Sequence, residues 1–166
     1  MQKPYTVLVL CTGNSARSII GEALLNTMAP GRIKAFSAGS HPTGRVNPFA
    51  IDVVRGLGYP VENLRSKSWD EFAAPGAPAL DFVITVCDKA AGEVCPFWPG
   101  QPITAHWGFP DPAEVAGTDD EKRAAFAQTL RQMRRRVELF FSLPLEALDS
   151  IAIEKQVRAI GQEPLQ

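Results

Sequence analysis

A chain of 166 residues with 45% hydrophobic content has apolar material for one core of ordinary size, and it points to a single domain. Its net charge of −1 argues against nucleic-acid and membrane-surface partners, which select a strongly basic footprint. No apolar stretch is long enough to span a bilayer, and the short run before Cys11 is needed as a strand rather than a signal peptide. The expected location is therefore the cytoplasm, where thiols stay reduced.

Tyr5 to Leu10 is a near-continuous apolar run, the pattern of a strand buried on both faces of a parallel sheet. From Ile20 the residues Ile20, Ala23, Leu24, Thr27 and Met28 follow helical spacing, so a helix lays one face on that sheet. Between them lies Cys11-Thr12-Gly13-Asn14-Ser15-Ala16-Arg17-Ser18, a cysteine and an arginine separated by five small or polar residues. Unpaired N–H groups at a helix start, together with the helix dipole, attract a tetrahedral anion. Successive loop amides can curl into a nest around it, and Gly13 and Asn14 tolerate the left-handed backbone that a nest requires. Arg17 adds a planar fork for two of the oxygens. The same fields are expected to lower the Cys11 pKa from about 8.5 into the range of roughly 3.5 to 7.5 seen at helix N-termini, leaving a thiolate nucleophile aimed at the anion. No Gly-Lys-Ser/Thr closes the loop, which separates it from nucleoside-triphosphate loops.

Arg32 to Ser37 reads as a second strand and 38–46 as a loop. Asn47-Pro48 is an N-cap with proline at the first helical position, and Ala50, Val53, Val54 and Leu57 form a buried stripe that ends at Gly58. Ser68 and Glu71 fit a capping box for a short helix containing Phe72. Asp81 to Val86 is the third strand, 88–100 a loop or loosely helical segment, and Ile103 to Trp107 the fourth strand. Thr118 and Glu121 form a second capping box before a long helix with Phe126, Leu130, Met133, Val137 and Phe140 on one face. Arg131, Arg134, Arg135 and Arg136 lie mostly off that stripe and read as a solvated face. One last helix is expected from about 144 to 160.

Strands alternating with helices imply a three-layer α/β/α fold around a four-stranded parallel sheet, with order 2-1-3-4 of flavodoxin-like type. The expected organisation is a single domain over 1–166, with a core at about 4–141 and a helical extension at about 144–161. Ligands in such sheets bind beyond the carboxyl ends of the strands, where the order reverses. Cys11, Cys87 and Asp111 follow strands one, three and four, so all three should meet on one edge. Asp111, held between Pro110 and Pro112, can donate a proton to a leaving oxygen. Cys87 and Cys95 are separated by seven residues. They are either strand-end packing and a loop thiol, or partners in thiol–disulfide exchange beside Cys11. A zinc site has only His41 and His106 to draw on and lacks paired Cys spacing.

The stretches VLVLCTGNSARS at 7–18, FSAGS at 36–40, ITVCDKAAGEVCP at 84–96 and HWGFPDP at 106–112 resemble the arsenate reductases built on the low-molecular-weight tyrosine phosphatase fold. The resemblance implies that the Cys11 thiolate attacks arsenate while Asp111 protonates the departing hydroxide. Thr12, Gly13, Asn14, Ser15, Ala16, Arg17 and Ser18 would hold the oxygens. It further implies a Cys11–Cys87 disulfide that passes to Cys87–Cys95 and is reduced by thioredoxin, or by a glutaredoxin with glutathione. No tightly bound cofactor is expected beyond that external thiol reductant, and phosphate or sulfate should serve as arsenate analogues. Some members hold potassium, for which Asn14, Glu22 and Ser37 match here, while the expected aspartate is replaced at Ser68. The competing readings are a tyrosine phosphatase using Cys11, Arg17 and Asp111, and a non-catalytic, redox-responsive oxyanion sensor.

Overall fold

Alternation inside the first apolar run decides the layering. In β1 (Tyr5–Cys11), Val7 and Val9 join one core cluster while Leu8 and Leu10 join another, and all four are buried. β2 (Ile33–Gly39) pairs with β1 on one side, β3 (Phe82–Thr85) on the other, and β4 (Ile103–His106) lies beyond β3. The four strands are parallel, as the alternation of elements implies, and their order is the expected β2-β1-β3-β4. The computed structural model describes residues 3–93, 98 and 100–165.

The larger cluster sits where Val7, Val9, Phe82 and Ile84 meet α1 (Arg17–Met28) and α4 (Asp119–Phe141) through Ile20, Leu24, Phe126, Met133 and Phe140. The opposite face is covered more thinly. A 3-10 turn at Trp69–Phe72 brings Phe72 against Leu8, Leu10, Ala38, Leu80 and Val83, with Trp69 and Trp98 packed outside.

Helix boundaries follow the side chains that satisfy the end groups. Asn47 caps α2 (Pro48–Gly56) by accepting from the Phe49 amide, and Thr118 and Glu121 form a reciprocal capping box at the start of α4. Ser68 accepts from the Asp70 amide, while Glu71 turns away to pair with Arg65 at 2.6 Å, so the box expected there does not form. One 3-10 turn is too short for the reciprocal bond. α3 (Asp88–Ala91) is a single turn after Cys87.

The single helix expected at 144–160 is divided. A 3-10 turn at Leu145–Ala147 precedes α5 (Ser150–Ile160), because Asp149 accepts from the Ala152 amide at 2.8 Å and starts a new helix. α5 covers β4: the Trp107 indole N–H donates to the Val157 carbonyl at 3.0 Å, and Arg158 Nε donates to the Thr104 carbonyl at 3.0 Å. Among the described residues no helix is long and apolar enough to cross a membrane.

Candidate active site

The cradle loop is shaped from outside. The carbonyls of Thr12, Gly13 and Ser15 accept from the amides of His41, Thr43 and Asn47, all within 3.0 Å, and the Ser66 hydroxyl also donates to the Gly13 carbonyl. A trans peptide points its N–H opposite to its C=O, so anchoring these three carbonyls turns the amides of Gly13, Asn14 and Ala16 toward the other side. Asn14 makes this turn with φ of 45°, a value asparagine tolerates better than most residues. Gly13 is not left-handed. Its lack of a side chain instead admits the Thr43 methyl, 3.2 Å from where a Cβ would stand. The segment at 38–46, which reads in the sequence as a plain loop, is thus the outer wall of the cradle.

α1 starts at Arg17, earlier than its apolar stripe, with no side-chain cap and no acidic residue in its first turn. Its first amides are left for a ligand to satisfy. The adjoining cleft of about 580 Å³ is lined by Cys11, Arg17, Thr43, Cys87, Asp111 and Glu114, among others. Thr12, Gly13, Ser15 and Ala16 also reach it. The side chains of Asn14 and Ser18 do not, since both residues are fully buried. Asn14 donates to the Ser18 hydroxyl at 2.8 Å and accepts from the Lys67 amide at 3.0 Å, so both act as struts beneath the loop rather than as anion-contacting side chains.

Segments far apart in sequence do converge. Arg17 Nη1 donates to the Phe109 carbonyl at 2.8 Å, and Nη2 stands 3.4 Å from Asp111 Oδ2. The other oxygen of Asp111 accepts from the Ala113 amide at 2.9 Å, which fixes the carboxylate in its Pro-bounded turn. On the opposite side the Cys87 sulfur accepts from the Thr12 amide at 3.3 Å. Cys11 and Cys87 are both free, buried thiols that line the same cleft. Cys95 lies outside the described residues.

The electrostatics correct one expectation. Cys11 is pushed up rather than down, first because its S–H donates to Cys87 and then because it is buried; Arg17 and the Gly13 amide act the other way without prevailing. The lowered group is Cys87, brought down to about 5 chiefly by accepting from Cys11, with help from the Thr12 hydroxyl and the Ala90 and Thr12 amides against its own burial. The two sulfurs titrate as a pair that keeps one proton and one negative charge at neutral pH.

Two side chains hold the segment after Cys87: Glu93, which the sequence did not single out, and His106, which it offered only as a zinc candidate. Glu93 Oε1 accepts from the Ser40 hydroxyl at 2.7 Å and the Thr12 hydroxyl at 3.1 Å, with His41 at 3.3 Å from its other oxygen. His106 bridges the Thr85 hydroxyl and Asp88 Oδ1, each at 2.8 Å. The two histidines considered for zinc are therefore spent on separate contacts, and among the described residues no group of three or more His, Cys, Asp or Glu side chains could hold a metal.

The residues matching a potassium site do not fit one. Glu22 accepts from the Ser37 hydroxyl at 2.7 Å and the Tyr59 hydroxyl at 3.0 Å, and the Lys67 ammonium stands 4.0 Å from the same carboxylate. The Lys67 and Glu22 side chains are only 10% and 12% exposed, so the positive charge facing Glu22 is already supplied by the chain. Burial pushes the Lys67 pKa down, with Glu22 opposing. Burial and the neighbouring Glu22 carboxylate push the Tyr59 hydroxyl up to about 12, so it remains a donor.

Residues 6–157 match the low molecular weight phosphotyrosine protein phosphatase family. An arsenate reductase of Halalkalibacterium halodurans is 35% identical over 134 residues, covering 81% of this chain and 93% of the relative. The thioredoxin-dependent arsenate reductase of Corynebacterium glutamicum superposes with a TM-score of 0.55 at 25% identity, over 84% of this chain and 65% of that longer one. A tyrosine phosphatase of Escherichia coli K30, solved in complex with sulphate, superposes with a TM-score of 0.58 at 25% identity over 80% of this chain and 96% of its own. The sheet order, the loop between β1 and α1 and the match along the chain agree, and the protein belongs to the low molecular weight phosphotyrosine protein phosphatase family.

Proposed function

We propose that this protein reduces arsenate to arsenite through Cys11 and a thiol–disulfide relay. The observation that carries the reading is a second free thiol, Cys87, lining the same cleft as the nucleophile, because phosphoryl transfer through Cys11 needs no such partner. The likeness to arsenate reductases supports the substrate. Neighbours of both enzyme types keep the phosphatase reading in view, but Ala113 and Glu114 follow Asp111 and offer no aromatic grip for a phosphotyrosine.

In this scheme Cys11 gives its proton to Cys87, and the Cys11 thiolate attacks arsenic, forming a sulfur–arsenic bond. Asp111, held against Arg17, gives its proton to the hydroxide that leaves, which departs as water. Loop amides and Arg17 hold the remaining oxygens, with the Phe109 carbonyl steadying Arg17. Cys87 yields its proton to a departing arsenite oxygen and attacks the Cys11 sulfur. The sulfur–arsenic bond breaks with its electron pair on arsenic, so arsenic is reduced by two electrons and the two cysteines are oxidised to a disulfide. Cys95 attacks Cys87, freeing the Cys11 thiolate, and an external dithiol of the thioredoxin class reduces the Cys87–Cys95 disulfide. No tightly bound cofactor takes part.

Arsenate-dependent NADPH oxidation with thioredoxin and thioredoxin reductase tests the scheme. Sustained turnover is expected in the wild type and none in Cys11→Ser or Cys87→Ser, whereas hydrolysis of an aryl phosphate is expected to survive in Cys87→Ser alone. Equal loss of that hydrolysis in a folded Cys87→Ser protein would remove the relay. Turnover only with glutaredoxin and glutathione would change the reductant and leave the Cys11 chemistry in place.

A further inference from the structure

Arg136 is the last of three consecutive arginines in α4, and it alone of the three is buried, at 4% exposure. Helical spacing explains this: it lies three residues after Met133 and four before Phe140, on the core stripe itself. The reading of these arginines as a solvated face therefore fails at Arg136. Carbonyl oxygens receive its charge. Nη1 donates to Gly108 at 2.8 Å, and Nη2 donates to Gly161 at 3.3 Å and Glu163 at 3.0 Å. The Phe109 ring lies 4.7 Å from the guanidinium carbon, and Nε has no partner among the described residues.

This contact joins the tail, already docked on β4 and Trp107, to the backbone just beyond them. Gly108 and Phe109 lead into the loop carrying Asp111, and the Phe109 carbonyl is the acceptor that holds Arg17. Gly161 and Glu163 belong to the tail after α5, seated so closely on β4 that a Cβ at Gly161 would run into the His106 carbonyl. We propose that Arg136 is a positioning residue of the active site: it bridges the docked C-terminal tail to the Gly108–Phe109 backbone and so fixes the carbonyl that aims Arg17 and the loop that carries Asp111. The terminal extension is on this view part of the site's scaffold. The proposal rests on residues 11–18 being the anion cradle and not on arsenate being the substrate, so sulfate serves as the probe.

The test uses the full-length protein. Arg136→Met removes the guanidinium and keeps an apolar filler, whereas Gly161→Ala leaves Arg136 in place and displaces the tail's carbonyls. Sulfate affinity is measured calorimetrically, with the fitted stoichiometry counting competent molecules, beside a thermal melt of each variant. Each substitution is expected to raise the sulfate Kd about five- to tenfold, and the double variant is expected to bind no more weakly than the weaker single one. A residue that only held the tail down would lower the melting temperature and leave the Kd of the folded molecules unchanged. That result overturns the proposal, as do additive losses in the double variant. Arg136→Lys keeps the charge but cannot span both sets of carbonyls, so it should weaken sulfate as Arg136→Met does, and wild-type affinity in it would remove the bridging role.

Discussion

Two buried free thiols lining one cleft cannot both behave as ordinary thiols. Cys87 is depressed to about 5 first of all because Cys11 donates to it, and Cys11 is raised for the same reason. Above about 5 the pair carries one negative charge, and as the pH falls through that value it takes up a second proton and the nucleophile is lost. Replacing Cys11 by alanine removes the largest cause of the depression, so the Cys87 pKa should climb back toward the ordinary thiol range near 8.5. Ultraviolet thiolate absorbance, followed against pH in Cys11→Ala with Cys95 replaced by serine, reads this directly; a Cys87 that still titrates near its original value would mean that the Thr12 and Ala90 donors set it instead.

Between elements, the close contact that matters most is β2 against the cradle. β2 ends at Gly39, paired with Cys11, where its amide donates to the Lys67 carbonyl at 2.9 Å. A Cβ at Gly39 would collide with the Thr12 carbonyl and stand 2.8 Å from the Cys11 carbonyl and 3.0 Å from the Asn14 amide. All three are backbone atoms and cannot rotate away, so an alanine there must push the loop. Gly39→Ala is expected to weaken sulfate binding by about tenfold or more while the sheet persists, since a shift on the order of an ångström is enough to spoil an oxyanion site. Calorimetry with sulfate, beside circular dichroism, would expose the error if affinity stayed at the wild-type level.

At the scale of the whole molecule, the sheet is joined to its helical layer through an aromatic cluster. Phe140 of α4 is fully buried, with its ring 5.1 Å from that of Phe82 on β3 and 5.9 Å from that of Trp107 just past β4, both edge-on. Truncating it removes contacts to both strands at once and leaves a cavity that packed aromatic neighbours cannot close. Phe140→Ala should cost about 3–5 kcal/mol, read as a lower urea midpoint with an unchanged slope. A loss well under about 1 kcal/mol would show that the core repacks around the gap.

What the sequence by itself determined was everything encoded in short-range periodicity and end chemistry. The alternation of Val7, Leu8, Val9 and Leu10, the Asn47-Pro48 start of α2, the Thr118–Glu121 capping box and the strand–loop–helix around Cys11 are local patterns; a parallel sheet follows once they alternate, and β2-β1-β3-β4 is one of the orders that this permits. The meeting of Cys11, Cys87, Arg17 and Asp111 was legible for the same reason, because each follows a strand and parallel strands end on one edge. Only the tertiary structure could decide which way charges and protons lie within that edge. Cys11 and Cys87 share their proton in one cleft, Lys67 answers Glu22 because its carbonyl docks on the Gly39 amide at the end of β2, and Asn14 and Ser18 turn under the loop to hold it. Arg136 was missed although its spacing placed it on the buried stripe, because an arginine there is credible only when carbonyls distant in sequence, at Gly108, Gly161 and Glu163, are known to receive it. Pairings across long separations in the chain leave no periodicity to read; they exist only once the sheet has brought their partners together.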